Sequence, residues 1–371
     1  MKHISILVKP ASSLCNLRCK YCFYADVTSL RDVKSYGNMS FETAEKMINN
    51  VFRDLDDGDN LTIAFQGGEP TLAGLKYFKH IVECVKNQRK EVQVHYAIQT
   101  NGTIINKYWC EFLKENQFLV GLSIDGLPMY HDLNRLDTRG RGTFHRVKET
   151  KKLLDAYDIE YNILCVLTEA LSYHAEEVFD FVRQEHIRYI QFIPCLDDMN
   201  ASERGEYALT PQGFARFYKK ILPLWIDELD NSNYISIKLF DDVINLLVNH
   251  QVTACGMLGN CQVQYVIEGD GSVYPCDFYA LDEYRLGYIQ EMGLREMFLS
   301  KIAKKFLCSR PISAVPSKCS ECPFVKMCRG GCKRMKDTMY VDEEMDFCGY
   351  QTFLRGFVPQ ISLILERVQR L

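Results

Sequence analysis

Apolar residues in the first half of the chain fall into two alternating patterns. Short, nearly uniform apolar runs, rich in branched and aromatic residues, read as strands buried on both faces: Ile4–Val8, Leu61–Phe65, Val92–Ile98, Leu119–Ile124, Tyr161–Leu167 and Tyr189–Ile193. Between them, apolar positions recur at helical spacing over Phe41–Leu55, Leu75–Arg89, Lys107–Glu115, Phe144–Ala156 and His174–Glu185, with Ser40 as N-cap of the first. Repeated strand–helix alternation implies an α/β fold whose parallel sheet is joined by right-handed crossovers. Periodicity does not separate an open doubly wound sheet from a partial barrel. Further on, two amphipathic helices, Gly213–Leu229 and Leu239–His250, flank a short strand, Ile235–Ile237. A hairpin then joins Gln264–Ile267 to Ser272–Tyr274 through Glu268-Gly-Asp-Gly271, and residues 350–371 read as a final amphipathic helix.

Composition narrows the class. The chain has 371 residues, 47% hydrophobic and 25% charged, as expected of a folded globular protein. A net charge of −4 gives no electrostatic case for nucleic acid as a partner. No stretch is long and apolar enough to span a bilayer, and Met1-Lys-His-Ile-Ser-Ile lacks the apolar core of a signal peptide, so a cytoplasmic location is expected. The 16 cysteines change the picture, because a reducing compartment argues for metal rather than a disulfide framework. Cys84, Cys110 and Cys165 lie in apolar segments and read as small buried hydrophobes. The 8 histidines show no metal-ligand pairing.

The first thiol group is Cys15-Asn-Leu-Arg-Cys19-Lys-Tyr-Cys22, on a loop after the first strand. Three thiolates leave one coordination position open on a metal centre; zinc with a fourth ligand from elsewhere is the alternative. The predicted strand ends carry polar groups: Gln66-Gly-Gly-Glu-Pro70, Gln99-Thr-Asn-Gly-Thr103, Ser123-Ile-Asp-Gly126 followed by Asn134-Arg135, and Pro194-Cys-Leu196. The glycines at 67 and 68 permit close backbone approach, and Glu69 is able to accept bonds from an ammonium group. Taken alone, Gly-Gly-Glu-Pro is a weak turn signal, and Ser123 and Arg135 read more often as a cap or a solvated side chain. The second thiol group comprises Cys255, Cys261, Cys276, Cys319, Cys322, Cys328, Cys332 and Cys348, the right number for two closed sites of four; two zincs and two iron–sulfur clusters both fit by count. Asp277 directly follows Cys276, as a candidate general base or an ordinary hairpin-end aspartate. Arg139-Gly-Arg-Gly142 reads as a solvated loop.

The Cys-x3-Cys-x2-Cys spacing, with Tyr21 before the last cysteine, resembles the signature of the radical SAM enzymes. That resemblance implies a partial (β/α)6 TIM-type barrel over residues 1–235. It also implies a 4Fe–4S cluster on Cys15, Cys19 and Cys22 whose fourth iron binds S-adenosylmethionine, with cofactor contacts at Tyr21, Gly68, Glu69, Ser123, Arg135 and Leu196. The pattern Cys255-x15-Gly271-x4-Cys276, the Cys319–Cys332 run and Cys348 resemble the SPASM extension, implying a bridge and auxiliary-cluster domain over 236–348 and a C-terminal helix over 349–371. The family's pairing implies one 4Fe–4S cluster on Cys255, Cys261, Cys276 and Cys332 and another on Cys319, Cys322, Cys328 and Cys348, making three in all.

Nearly the full length resembles the anaerobic sulfatase-maturating enzymes, from Lys9-Pro-Ala-Ser-Ser13 through Ala64–Gly74, Gln99–Thr103 and Phe118–Ser123 to Gly269-Asp-Gly-Ser-Val-Tyr-Pro-Cys-Asp-Phe-Tyr279. The resemblance implies oxidation of a Cys or Ser side chain to Cα-formylglycine (3-oxoalanine), with a 5′-deoxyadenosyl radical abstracting the β-hydrogen and Asp277 taking the proton. The implied partners are a sulfatase carrying Cys/Ser-x-Pro-x-Arg and a small redox protein as electron donor, with neither nucleic acid nor membrane involved. Two alternatives stand beside it. One is a SPASM peptide maturase forming a thioether or crosslink in a ribosomal peptide, although such enzymes often carry a recognition domain for which there is no room before Cys15. The other is a non-enzymatic zinc or iron–sulfur module.

Overall fold

The computed structural model describes residues 2–308, 317–342, 344 and 346–370. Its strands are β1 (His3–Val8), β2 (Leu17–Cys19), β3 (Asn60–Phe65), β4 (Gln93–Thr100), β5 (Leu119–Ser123) and β6 (Arg135–Asp137). They continue with β7 (Tyr161–Leu167), β8 (Tyr189–Pro194), β9 (Ser236–Ile237), β10 (Val266–Ile267), β11 (Ser272–Tyr274) and β12 (Gly287–Tyr288). The chain packs as two compact units. The first comprises Met1–Ser123, Asn134–Tyr161 and Gln262–Ser309; the second comprises Ile124–Leu133, Asn162–Cys261 and Arg310–Leu371.

In the first unit, β1, β3, β4 and β5 run parallel in that order. β10 adds in parallel to the other side of β1, and β11 and β12 follow it antiparallel. The parallel pairs are joined by helices, as alternation of strand and helix requires. Helix Phe41–Arg53 starts where Ser40 accepts the Thr43 N–H at 3.0 Å, as the sequence predicts. The strands are not buried evenly on both faces, contrary to the expectation from their uniform apolarity. Burial alternates along β3, with Leu61, Ile63 and Phe65 fully buried and Asn60, Thr62 and Ala64 half-buried. The core face meets helices through aromatic pairs, Phe65–Phe78 at 4.9 Å and Phe78–Trp109 at 5.1 Å. Each such ring contributes about 1.5–3 kcal/mol by burial.

In the second unit, β7, β8 and β9 are parallel. Helix Pro211–Asp230 carries the packing: Thr210 caps it by accepting the Gly213 N–H at 2.9 Å, and Pro211 occupies the first turn, where its missing N–H costs nothing. Phe217 packs on Phe192 at 4.9 Å, and Trp225 packs on Phe240 at 4.9 Å while donating to Ile235 O at 2.7 Å. Two predicted elements differ. The helix expected over Leu239–His250 is helical over Lys238–Ile244 and then widens to a π-turn, Asn245–Asn249, closed by His250 in a left-handed conformation. The terminal helix is two, Gly349–Phe357 and Ile361–Val368, separated at Pro359, which has no N–H to continue the ladder. The expected solvated loop is present: residues 139–142 are exposed.

Candidate active site

Three adjacent parallel strands of the first unit end side by side. Lys9 follows β1, Gln66 follows β3 and Glu268 follows β10. Backbone bonds fix this register, with Lys9 N–H to Ile267 O at 2.8 Å and Gln66 N–H to Val8 O at 3.0 Å. The chain after Lys9 turns through residues 10–14 into the thiol motif. That turn is laced to the Gly67–Glu69 loop, since the Gly68 and Glu69 N–H groups donate to Ser12 O (2.9 Å) and Leu14 O (2.8 Å). The approach is close enough that a Cβ on Gly68 would lie 2.1 Å from Leu14 O, so only glycine fits there.

The thiol motif is not wholly loop. Leu17–Cys19 pairs antiparallel with β6, placing Cys19 opposite Arg135, and Lys20 N–H donates to Asn134 O at 3.1 Å. Sequence periodicity missed this ladder because three-residue strands carry no pattern. It brings together two expected cofactor contacts: the Arg135 guanidinium lies 5.6 Å from the Tyr21 ring centroid, and both side chains are buried. Burial pushes the Cys15 thiol up to about 11, with the Glu69 and Cys22 charges adding to the rise and the Leu17 N–H and Arg18 opposing it. The Leu17 N–H donates to Cys15 Sγ at 3.4 Å. Asn101 links the motif to the next strand end, since its amide donates to Asn16 Oδ1 at 2.9 Å and lies 3.9 Å from Cys15 Sγ.

Glu69 caps the turn that follows it, a structural part that its Gly-Gly-Glu-Pro stretch allows. Its carboxylate is 1% exposed and accepts from Thr71 N (3.1 Å), Thr71 Oγ1 (2.6 Å), Thr100 Oγ1 (2.7 Å) and Asn101 N (2.8 Å). Burial raises its pKa, and these four bonds act against the rise. Both oxygens are thus turned inward, where they tie the Gly-Gly-Glu-Pro loop to the end of β4. Ser123 closes β5 half-buried, and Leu196 is buried after β8 in the second unit.

Asp277 is 8% exposed, in a tight turn after Cys276. Lys9 Nζ lies 2.5 Å from Asp277 Oδ1 as an ion pair, while the Gln66 amide donates to Oδ2. Lys9 is fully buried, with its ammonium 3.2 Å from the Tyr24 ring centroid. Tyr24 O–H donates to Glu268 Oε1 at 2.5 Å, Arg31 Nη2 donates to the same oxygen at 2.8 Å, and Ser12 O–H donates to Oε2 at 3.1 Å. Burial and the Glu268 charge raise the Tyr24 pKa well above its ordinary value. Unpaired, any of these buried charges would be strongly destabilising; paired, they hold one another in place. The sequence signal available was a charged residue at the end of an apolar run, twice over, at Lys9 and Glu268.

In the second unit, Cys319, Cys322, Cys328 and Cys348 line one cavity whose wall is largely apolar, formed by Phe324, Val325, Tyr340, Val341, Tyr350 and Leu354. Burial raises the Cys328 thiol to about 11; the Gly330 N–H opposes this, and Cys348, Cys319 and Cys322 add to it. Gly349 permits the close approach that seats Cys348, because a Cβ there would lie 2.4 Å from Pro211 O. Of the other expected set, Cys255, Cys261 and Cys332 lie in the second unit, where Gly256 abuts Cys332, and Cys276 lies in the first. Cys110 and Cys165 are buried as expected, whereas Cys84 is half-buried beside His80 Nε2 at 3.5 Å.

The donor chemistry fits the implied groups. Three thiols on a partly open loop next to buried polar groups suit a centre with an open position, and four thiols around one cavity suit a closed centre. The family models match on the same segments: the radical SAM superfamily over residues 10–182 and an iron–sulfur cluster-binding domain over residues 255–323. A cysteine-type anaerobic sulfatase-maturating enzyme of Clostridium novyi (strain NT) is 41% identical over 98% of this chain and 96% of its own length. A solved structure described as native anSMEcpe with bound AdoMet superposes with a TM-score of 0.89 at 38% identity, covering 97% of this chain and 99% of that one. The same protein with bound AdoMet and Kp18Cys peptide gives 0.88 at 38% identity, over 98% and 99%.

Proposed function

The chain belongs to the anaerobic sulfatase-maturating enzymes of the radical SAM superfamily, and on that premise we propose that it oxidises a cysteine in a sulfatase to Cα-formylglycine. The observation that carries this reading is full-length identity of 41% to a relative of the cysteine type. Cys15, Cys19 and Cys22 would hold the first 4Fe–4S cluster, with S-adenosylmethionine against Tyr21, Gly68, Ser123 and Arg135. The remaining eight thiols would hold the two auxiliary clusters. When bound, these groups supply a 5′-deoxyadenosyl radical to abstract hydrogen from the substrate β-carbon and an acceptor for the electron released.

Asp277 takes the thiol proton. Lys9 and Gln66 hold one oxygen each of its carboxylate, which supports that role by fixing its direction. The resulting thioaldehyde hydrolyses to the aldehyde. Glu69 holds the Gly-Gly-Glu-Pro loop from behind rather than meeting the cofactor, as its four internal donors favour. The substrate motif is Cys-x-Pro-x-Arg, the electron donor is a small redox protein and the reaction takes place in the cytoplasm. Among the described residues, no helix is long and apolar enough to cross a membrane. Anaerobic incubation with reductant, S-adenosylmethionine and a Cys-x-Pro-x-Arg peptide tests the reading. A loss of about 18 mass units from the peptide is expected, and cofactor cleavage with an unchanged peptide overturns the substrate assignment.

A further inference from the structure

Gln351 sits one turn into helix Gly349–Phe357 and addresses two thiols of the C-terminal set. Its backbone N–H donates to Cys348 Sγ at 3.4 Å, and its side-chain amide Nε2 donates to Cys322 Sγ at 3.1 Å. Both distances are within the range for N–H···S bonds, and the residue lines the same largely apolar cavity as the four cysteines. Two geometric facts fix it. Cys348 is the N-cap of the helix, so residue 351, in the third helical position, has its N–H pointing back at the capping sulfur. Gly349, packed on Pro211 O, sets where that helix begins. The Gln351 side chain is half-buried and turned to a sulfur contributed by a segment 29 residues away.

We propose that Gln351 sets the reduction potential of the cluster held by Cys319, Cys322, Cys328 and Cys348, raising it so that this cluster takes up an electron more readily. The inference rests on the reading that these four thiols hold a cluster. A reduced cluster carries one more negative charge, partly on its sulfurs, so a donor aimed at those sulfurs stabilises the reduced form more than the oxidised form. The apolar wall strengthens this effect, because little solvent competes for the sulfurs. The backbone donor at Cys348 is independent of side-chain identity, but the amide at Cys322 is not, so the Cys322 bond is the one that substitution removes.

The test is an EPR-monitored redox titration of the reconstituted full chain in a C15A/C19A/C22A background, which leaves only the two auxiliary couples. Gln351→Met keeps the length and removes the N–H; Gln351→Glu keeps the shape and reverses the interaction. With iron at about eight per chain in all three proteins, one couple should become harder to reduce in Gln351→Met. The expected change is about tenfold in its equilibrium constant, equal to 59 mV for a one-electron couple, with a larger shift in Gln351→Glu and the other couple unmoved. Unchanged or more positive potentials in both variants overturn the inference while leaving the cluster assignment standing. A parent protein with only one four-iron couple overturns the assignment itself, and the inference with it.

Discussion

The two thiol regions differ in what surrounds the sulfur. Cys15, Cys19 and Cys22 are half-buried in and around a short ladder that holds Cys19, next to polar partners: Asn101, Asn16, Arg135 and, behind them, Glu69. Cys319, Cys322, Cys328 and Cys348 surround a cavity walled by Tyr340, Tyr350, Val341 and Leu354. On the proposed reading, the first set would serve chemistry at the metal, since three ligands leave a coordination site and the adjoining groups are suited to a charged ligand. The second would need only electrons to arrive, since four ligands would close the centre and its wall is largely apolar. One sulfur chemistry would then serve two purposes, chosen by ligand count and by the polarity of the shell.

Removing one set at a time tests that division most severely. C15A/C19A/C22A should abolish cleavage of S-adenosylmethionine while about eight of about twelve irons remain. C348A should lose iron from the second set and leave cofactor cleavage intact. Cleavage surviving in the triple variant would erase the distinction between the sets. Next in size is Asp277→Asn. It removes the proposed proton acceptor but keeps a side chain of the same shape between Lys9 and Gln66, so peptide oxidation should fall by about 10²–10⁴ while cofactor cleavage continues. Wild-type peptide turnover would take Asp277 out of the mechanism.

What the sequence revealed and what it hid follow from range. Helices Lys107–Glu115 and Phe144–Ala156 and strand Tyr161–Leu167 have the expected bounds, because each is specified by its own residues, the first also by its Asn106 cap. The two cysteine groups are visible as spacings, although spacing alone admits zinc as well as iron–sulfur. The Lys9–Asp277 pair and the bonds of Tyr24 and Arg31 to Glu268 are not visible, since the latter partners lie 244 and 237 residues apart and no local pattern joins them. The strand-end position of Glu69 suggests function; its donors come from Thr71, Thr100 and Asn101, and the last two are partners that sequence does not place around it. Gly68 was read correctly as a point of close approach, but the neighbour that demands it, Leu14, is seen only in the fold.

Paired glycine substitutions sharpen the comparison further. Gly68→Ala would put a Cβ 2.1 Å from Leu14 O, and Gly349→Ala would put one 2.4 Å from Pro211 O. Both contacts are with backbone and do not yield cheaply, so each should destabilise by about 1–3 kcal/mol, seen as a lower melting temperature. The functional effects should separate. Gly68→Ala weakens S-adenosylmethionine binding in an equilibrium titration, and Gly349→Ala leaves that affinity at the wild-type value. Equal loss of cofactor affinity in both would mean that the two regions are not independent.

The smallest effect belongs to the exposed edge of the first region. Arg141 bonds the Asp137 carboxylate through Nε (2.9 Å) and Nη2 (2.8 Å), closing the loop behind β6, the strand paired with the Cys19 ladder. The side-chain bond from Arg141, with backbone N–H groups of Arg141 and Arg139, lowers the Asp137 pKa to about 2. A carboxylate whose folded pKa is depressed contributes stability above its unfolded pKa, near 4, and loses it as pH falls through the folded value. The melting-temperature difference between the apo-protein and its Arg141→Ala variant should therefore be small at neutral pH, because Arg141 is 65% exposed, and should shrink as pH falls from about 4 toward 2. A difference that grows on acidification would mean that the ion pair does not hold the Cys19 ladder. A large loss of cofactor cleavage in this variant would extend the polar shell of the first thiol set outward to its surface loop, a reach for which the apolar wall of the second set has no counterpart.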